Sequence, residues 1–193
     1  RMQYVGEGEL PLAVSIEEFK RSVHLYEGDA EDDGALAALI GAAQQLVFTA
    51  TGRAFSPVLY EFTVAAGAWR RWWLPCAPVS SIQTVEVVLT DGSTSLLTAG
   101  EYRLVDGRNE PQLILASDLE PTAETVRVVA TIGHAVNAPE TRTLRRAIIL
   151  IAKEWMDAET AIEDQPEAAR VSFQARHLIG QVRYRRPCIC AEA

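Results

Sequence analysis

The apolar residues of this chain change their repeat twice, and few folds accept that order. Between Ser15 and Gly52 they recur at helical spacing; from Pro57 to Ile132 the repeat shortens to two and β-branched and aromatic residues become frequent; after Pro139 the helical spacing returns. The order αα, β, αα predicts an α+β protein: a helical bundle of about four helices interrupted by an inserted, small antiparallel β subdomain, with an extended C-terminal arm. The predicted boundaries are 1–56 for an N-terminal helical pair, 57–139 for the β subdomain, 140–182 for the C-terminal helices and 183–193 for the arm. Helices from both ends that pack together would also bring the ends of the insertion together.

Local signals place the elements. Ser15-Ile16-Glu17-Glu18 reads as a capping box, with Ser15 capping the amide of Glu18 and the Glu18 carboxylate reaching back. Ile16, Phe19 and Val23 share a face of that first helix, which is expected to pair antiparallel with a second carrying Leu36, Leu39, Ile40, Ala43, Val47 and Ala50 and stopping at Gly52. Val58 to Val64 and Trp69 to Leu74 are expected to form a hairpin across Ala65-Ala66-Gly67-Ala68. Asp91-Gly92 marks a second hairpin between Ile82–Leu89 and Ser95–Leu97, and Tyr102–Val105, Gln112–Leu115 and Val126–Ile132 complete a small sheet or barrel. Leu144, Ala147, Ile148, Ile151 and Trp155 form the apolar stripe of a long helix, and Phe173 to Val182 is one more short element.

Charge divides the chain in another way. The 193 residues carry 18 basic and 26 acidic groups, a net charge of −8, but residues 170–193 hold five arginines and one glutamate. The acidic body repels DNA, which excludes a general nucleic-acid binder. Cys76, Cys188 and Cys190 form no CxxC pair, so free thiols in a reducing compartment are expected. No apolar run approaches the ~20 residues that span a bilayer, and Arg1 to Glu7 contains no signal-peptide core. The expected location is the cytoplasm or a particle assembled there.

Catalytic patterns are missing from the sequence. His24, His134 and His177 are far apart, and there is no GxSxG, GxxxxGK[ST] or GxGxxG. Asp29, Glu31, Asp32 and Asp33 lack calcium-loop spacing and read as the acidic start of a helix. No catalytic residue, cofactor or metal is expected.

Two features remain as candidate interaction sites. Trp69-Arg70-Arg71-Trp72-Trp73 packs three indoles and two guanidiniums into five residues. In a strand Trp69, Arg71 and Trp73 would share one face and Arg70 and Trp72 the other; the cluster reads either as core packing with cation–π pairs or as a protein interface of Trp69, Arg71, Trp72 and Trp73. The basic tail, with Arg170, Arg176, Arg183, Tyr184, Arg185, Arg186 and Ile189, is expected to bury little of itself and to order on a partner. A small-ligand or regulatory module built on Trp69–Trp73 is the alternative function.

Taken in order, Val14 to Lys20, Asp32 to Ala43, Thr51-Gly52-Arg53-Ala54-Phe55, Leu74-Pro75, Pro78-Val79, Asp91-Gly92, Tyr102-Arg103, Val126 to Gly133, Pro139, Ala147 to Leu150, Trp155, Leu178-Ile179 and Tyr184-Arg185 resemble the head-tail connector (adaptor) proteins of long-tailed phages and gene transfer agents. The resemblance spans roughly residues 12–186. It departs at Met156 and Ala158-Glu159, where the family often has Tyr and Arg, and again after Arg186. It implies a non-enzymatic virion protein, a ring of about twelve copies docked beneath a portal protein and offering its other face to a stopper or tail-terminator protein. DNA would pass through the lumen without sequence-specific binding, and Arg176, Arg183, Tyr184, Arg185, Arg186 and Ile189 would form a portal-binding arm. No membrane is implied, and assembly would take place in the bacterial cytoplasm.

Overall fold

The structure is a computed structural model that describes residues 1–26, 32–107, 110–135, 138–159 and 171–187. It is mixed α+β, with four helices and antiparallel sheets among these residues. The chain divides into a β unit, Arg1–Leu10, Ser56–His134 and Tyr184–Ala193, and a helical unit, Pro11–Phe55 and Ala135–Arg183.

In the helical unit, Ser15 is the N-cap of α1 (Ile16–Val23) and accepts from the Glu18 amide at 3.2 Å. Only half of the predicted capping box forms, because the Glu18 carboxylate pairs with Arg145 instead of turning back. His24 ends α1 in the left-handed region, φ 63°, and the Leu25 amide returns to the Lys20 carbonyl at 2.9 Å. Helix α2 (Asp33–Thr51) stops at Gly52, φ 65°, where a Cβ would be strained. Against the expectation that no apolar run approaches bilayer-spanning length, α2, 19 residues, is the one helix among the described residues long and apolar enough to cross a membrane. It turns Leu36, Ile40, Ala43, Val47 and Phe48 into the interior.

Helix α3 (Pro139–Glu159) buries Leu144, Ala147, Ile148 and Ile151 as predicted, with Trp155 partly buried beside them. α4 (Phe173–Val182) is capped by Ser172. α2 packs chiefly on α3, which also carries α4, while the short α1 touches α2 and α3. The expected α1–α2 pair is thus a minor contact, since an eight-residue helix has little face to offer. Asp33 belongs to the scaffold, because its carboxylate lies 2.5 Å from the buried Lys20 ammonium and ties α2 to α1. Asp29 and Glu31 lie outside the described residues.

The β unit contains two sheets rather than one sheet or barrel. β1 (Met2–Tyr4), β2 (Val58–Ala65), β8 (Ala123–Ile132), β4 (Val79–Leu89) and β5 (Thr94–Leu96) form the first, in the order β1-β2-β8-β4-β5. β3 (Arg71–Trp73), β7 (Glu110–Leu115) and β6 (Tyr102–Gly107) form the second. Strict alternation buries Val58, Tyr60 and Phe62 of β2 and Val126, Val128, Ala130 and Ile132 of β8. The Asp91-Gly92 hairpin joins β4 to β5 with Gly92 at φ 83°, and the Asp91 carboxylate accepts from the Ser93 hydroxyl and amide, which holds its pKa below the usual range.

The predicted hairpin of Val58–Val64 with Trp69–Leu74 does not form. Both edges of β2 are taken, by β1 and β8, so β3 pairs with β7 in the other sheet.

Cys76 is 1% exposed, and burial pushes its thiol from the ordinary 9.0 up to about 12. Iodoacetamide at pH 8 should therefore leave Cys76 unmodified in the folded protein and alkylate it in urea, read by peptide mass spectrometry; labelling at equal rates in both states would contradict the burial. Because the folded-state pKa is the higher one, this thiol's contribution to stability is intact below pH 9 and declines as pH rises toward about 12.

Candidate interaction surfaces

The tail is more tied down than its sequence indicates. Tyr184 is 8% exposed within the β unit, and its hydroxyl donates to the Leu74 carbonyl at 3.1 Å. Two residues on, the Arg186 guanidinium lies 6.0 Å from the centroid of the Trp72 ring. Tyr184 is consequently an anchor rather than a free contact of the arm, because its apolar ring and polar tip both find partners in the β unit. Arg183, Arg185 and Arg186 are exposed, as is Arg176 on α4, whereas Ile189, Cys188 and Cys190 lie outside the described residues. In the helical unit, Arg53 Nε donates to the Val182 carbonyl at 2.6 Å, a cationic cap on the last turn of α4. The Thr51-Gly52-Arg53 stretch signalled a helix stop, but nothing near Arg53 announced a partner 129 positions later.

The tryptophan cluster divides between core and surface. Trp72 is buried, edge-on to Phe62 at 6.0 Å, and so is not available to a partner. Trp69 lies before β3 rather than in it; its ring sits 6.4 Å from that of Trp72, and its indole N–H donates to the Ala65 carbonyl at 3.0 Å. The predicted segregation of Trp69 from Trp72 therefore fails, since the strand is too short to impose its alternation on Trp69. Arg71 is exposed and stacks 5.6 Å from the half-buried Trp73 ring. Arg70 donates to the Ala116 carbonyl and sits 3.7 Å from the Asp118 carboxylate.

A surface that the sequence did not reveal lies along α3 and α4. Arg142, Arg145 and Arg146 line a cleft of about 380 Å³ with Glu18, Thr141 and Ile149. Glu18 takes Arg145, while Arg142 and Arg146 are exposed and four residues apart, with no carboxylate partner among the described residues. Two such like charges repel each other by a few tenths of a kcal/mol. Arg146 also lines a neighbouring groove of about 330 Å³ with Leu150, Phe173, Gln174, His177 and Leu178. Phe173 is 83% exposed and stacked on His177 at 6.4 Å. An i, i+4 alternation of Arg142, Arg146 and Leu150, opposite the apolar stripe, was the available signal.

The histidines do not converge: His24 caps α1, His134 is buried in the β unit and His177 sits beside Phe173. Among the described residues no three His, Cys, Asp or Glu side chains come together.

No family model and no curated protein matches this sequence. Solved structures do. A chain from the neck of an empty gene transfer agent particle, computed with C6 symmetry, superposes with a TM-score of 0.76 at 23% identity, covering 97% of both chains. A chain from the virion of a native gene transfer agent particle gives 0.75 at 23% identity, again over 97% of both. A chain from the neck of a native particle computed with C12 symmetry gives 0.73 at 21% identity with the same coverage. The fold of this chain is that of these particle components.

Proposed function

We propose that this chain is a subunit of the neck of a phage or phage-like particle: a non-enzymatic head-tail adaptor that forms a ring of about twelve copies beneath the portal and links it to a stopper or tail-terminator protein. The observation that carries the reading is the end-to-end likeness, over 97% of both chains, to chains of gene transfer agent necks and virions, one of those necks having C12 symmetry. Helices α1 and α2 before Val58 and α3 and α4 after Ile132 suit a bundle that carries strands β2 to β8 as an insertion, with β1 and the segment from Tyr184 grouped with those strands. An acidic body suits a lumen through which DNA slides, and Arg176, Arg183, Arg185, Arg186 and Ile189 suit an arm gripping an acidic portal surface. Assembly would precede release, in the bacterial cytoplasm.

Electron microscopy of particles carrying an epitope-tagged copy tests this directly. The label should fall at a single vertex, between capsid and tail. Label spread over the capsid or along the tail shaft would refute the adaptor role.

A further inference from the structure

A ring closed by rotation needs two different, complementary patches on each copy, because the contact is head-to-tail rather than self-matching. Among the described residues the two most exposed aromatic side chains are Phe173, 83%, and Tyr26, 80%, and both belong to the helical unit. Phe173 begins α4 and Tyr26 follows α1, and neither helix has the other as a main packing partner. Phe173 borders the groove of Arg146, Leu150 and Leu178, whereas Leu25, 40% exposed, and Tyr26 form a corner projecting beyond the turn at His24.

Charge selects the occupant. Copies of a chain with net charge −8 repel unless a basic patch meets an acidic one. The groove supplies Arg146 and, in the adjoining cleft, Arg142, both without carboxylate partners among the described residues. The corner is followed in sequence by residues 27–33, which hold five acidic and no basic residues, and the exposed Asp32 stands at the start of α2.

We propose that the groove of Arg146, Leu150, Phe173 and Leu178 receives the Leu25–Tyr26 corner of a second copy of this chain, with Asp32 of that copy facing the arginines. The contact repeats round the ring, and so rests on the ring reading above. Phe173 and Tyr26 supply the apolar anchors; the charges set the direction of the pairing.

Sedimentation velocity on the full chain over a concentration series tests it. The wild type should self-associate, Phe173→Ser and Arg146→Glu should each weaken association at least tenfold with unchanged circular dichroism, and Asp32→Arg should restore the Arg146→Glu protein to within threefold. All three side chains are exposed and Asp32 makes no side-chain capping bond to α2, so the unchanged circular dichroism is the check that each variant folds. Association that is equal in wild type and variants overturns the docking while the ring reading stands. A wild type monomeric at every concentration overturns both. Unchanged self-association with lost binding to a purified portal or stopper protein would assign the groove to that partner and also overturn the proposal.

Discussion

Tyr184→Ala should cost the β unit about 3 kcal/mol, the range for emptying a buried aromatic site, whereas Tyr184→Phe should cost about 1 kcal/mol by leaving the Leu74 carbonyl without its donor. Three of the four tryptophans, Trp69, Trp72 and Trp73, lie in the β unit, so urea unfolding followed by fluorescence reads the right region. The sequence expectation that the end of the arm buries little of itself predicts that removing residues 188–193 changes stability by less than about 0.5 kcal/mol. If the end of the arm grips a portal, that truncation yields a stable protein that no longer joins capsids to tails. The two variants therefore separate anchoring from gripping. An unfolding midpoint for Tyr184→Ala equal to that of the wild type would remove the anchor, and normal joining by the truncated chain would remove the grip.

This division could not be read from the tail sequence. Tyr184 stands among Arg183, Arg185 and Arg186, a composition that reads as solvated, and its acceptor is a main-chain carbonyl 110 positions earlier. Local features were legible: the cap at Ser15, the stop at Gly52, the Asp91-Gly92 turn, the stripe of α3 and the period-two strands all depend on neighbours within a turn or two of chain. Strand partners were not. β2 and β3 look like a hairpin because they are close in sequence, but β1 is only three residues long and β8 begins far downstream, and together they occupy both edges of β2. The same limit hid the α3–α4 groove. Arg142 and Arg146 lie off the apolar stripe of α3, and only the placement of Phe173 beside Leu150 gives Arg146 an apolar neighbourhood.

Gln44→Leu should destabilise the helical unit by about 2–4 kcal/mol, although leucine nearly preserves the volume. Gln44 is 7% exposed; its side-chain carbonyl accepts from the Ala13 amide at 2.6 Å, and its amide donates to the Pro11 carbonyl at 3.0 Å. Leucine would strand two main-chain groups where water has little access, and each unmet group costs about 1–3 kcal/mol. Gln45→Leu, one position along on the exposed face of α2, is the control and should stay within about 0.5 kcal/mol. Ellipticity at 222 nm during urea unfolding reads both, because it follows the helices. A Gln44→Leu midpoint at or above that of the wild type would mean that the clamp is dispensable. If the clamp holds, its effect extends beyond stability: Pro11 and Ala13 lead directly into Val14, fully buried, and Ser15, the cap of α1. Freeing them loosens the entry to the helix whose far end carries the Leu25–Tyr26 corner, so Gln44→Leu should also weaken self-association, whereas Gln45→Leu should not.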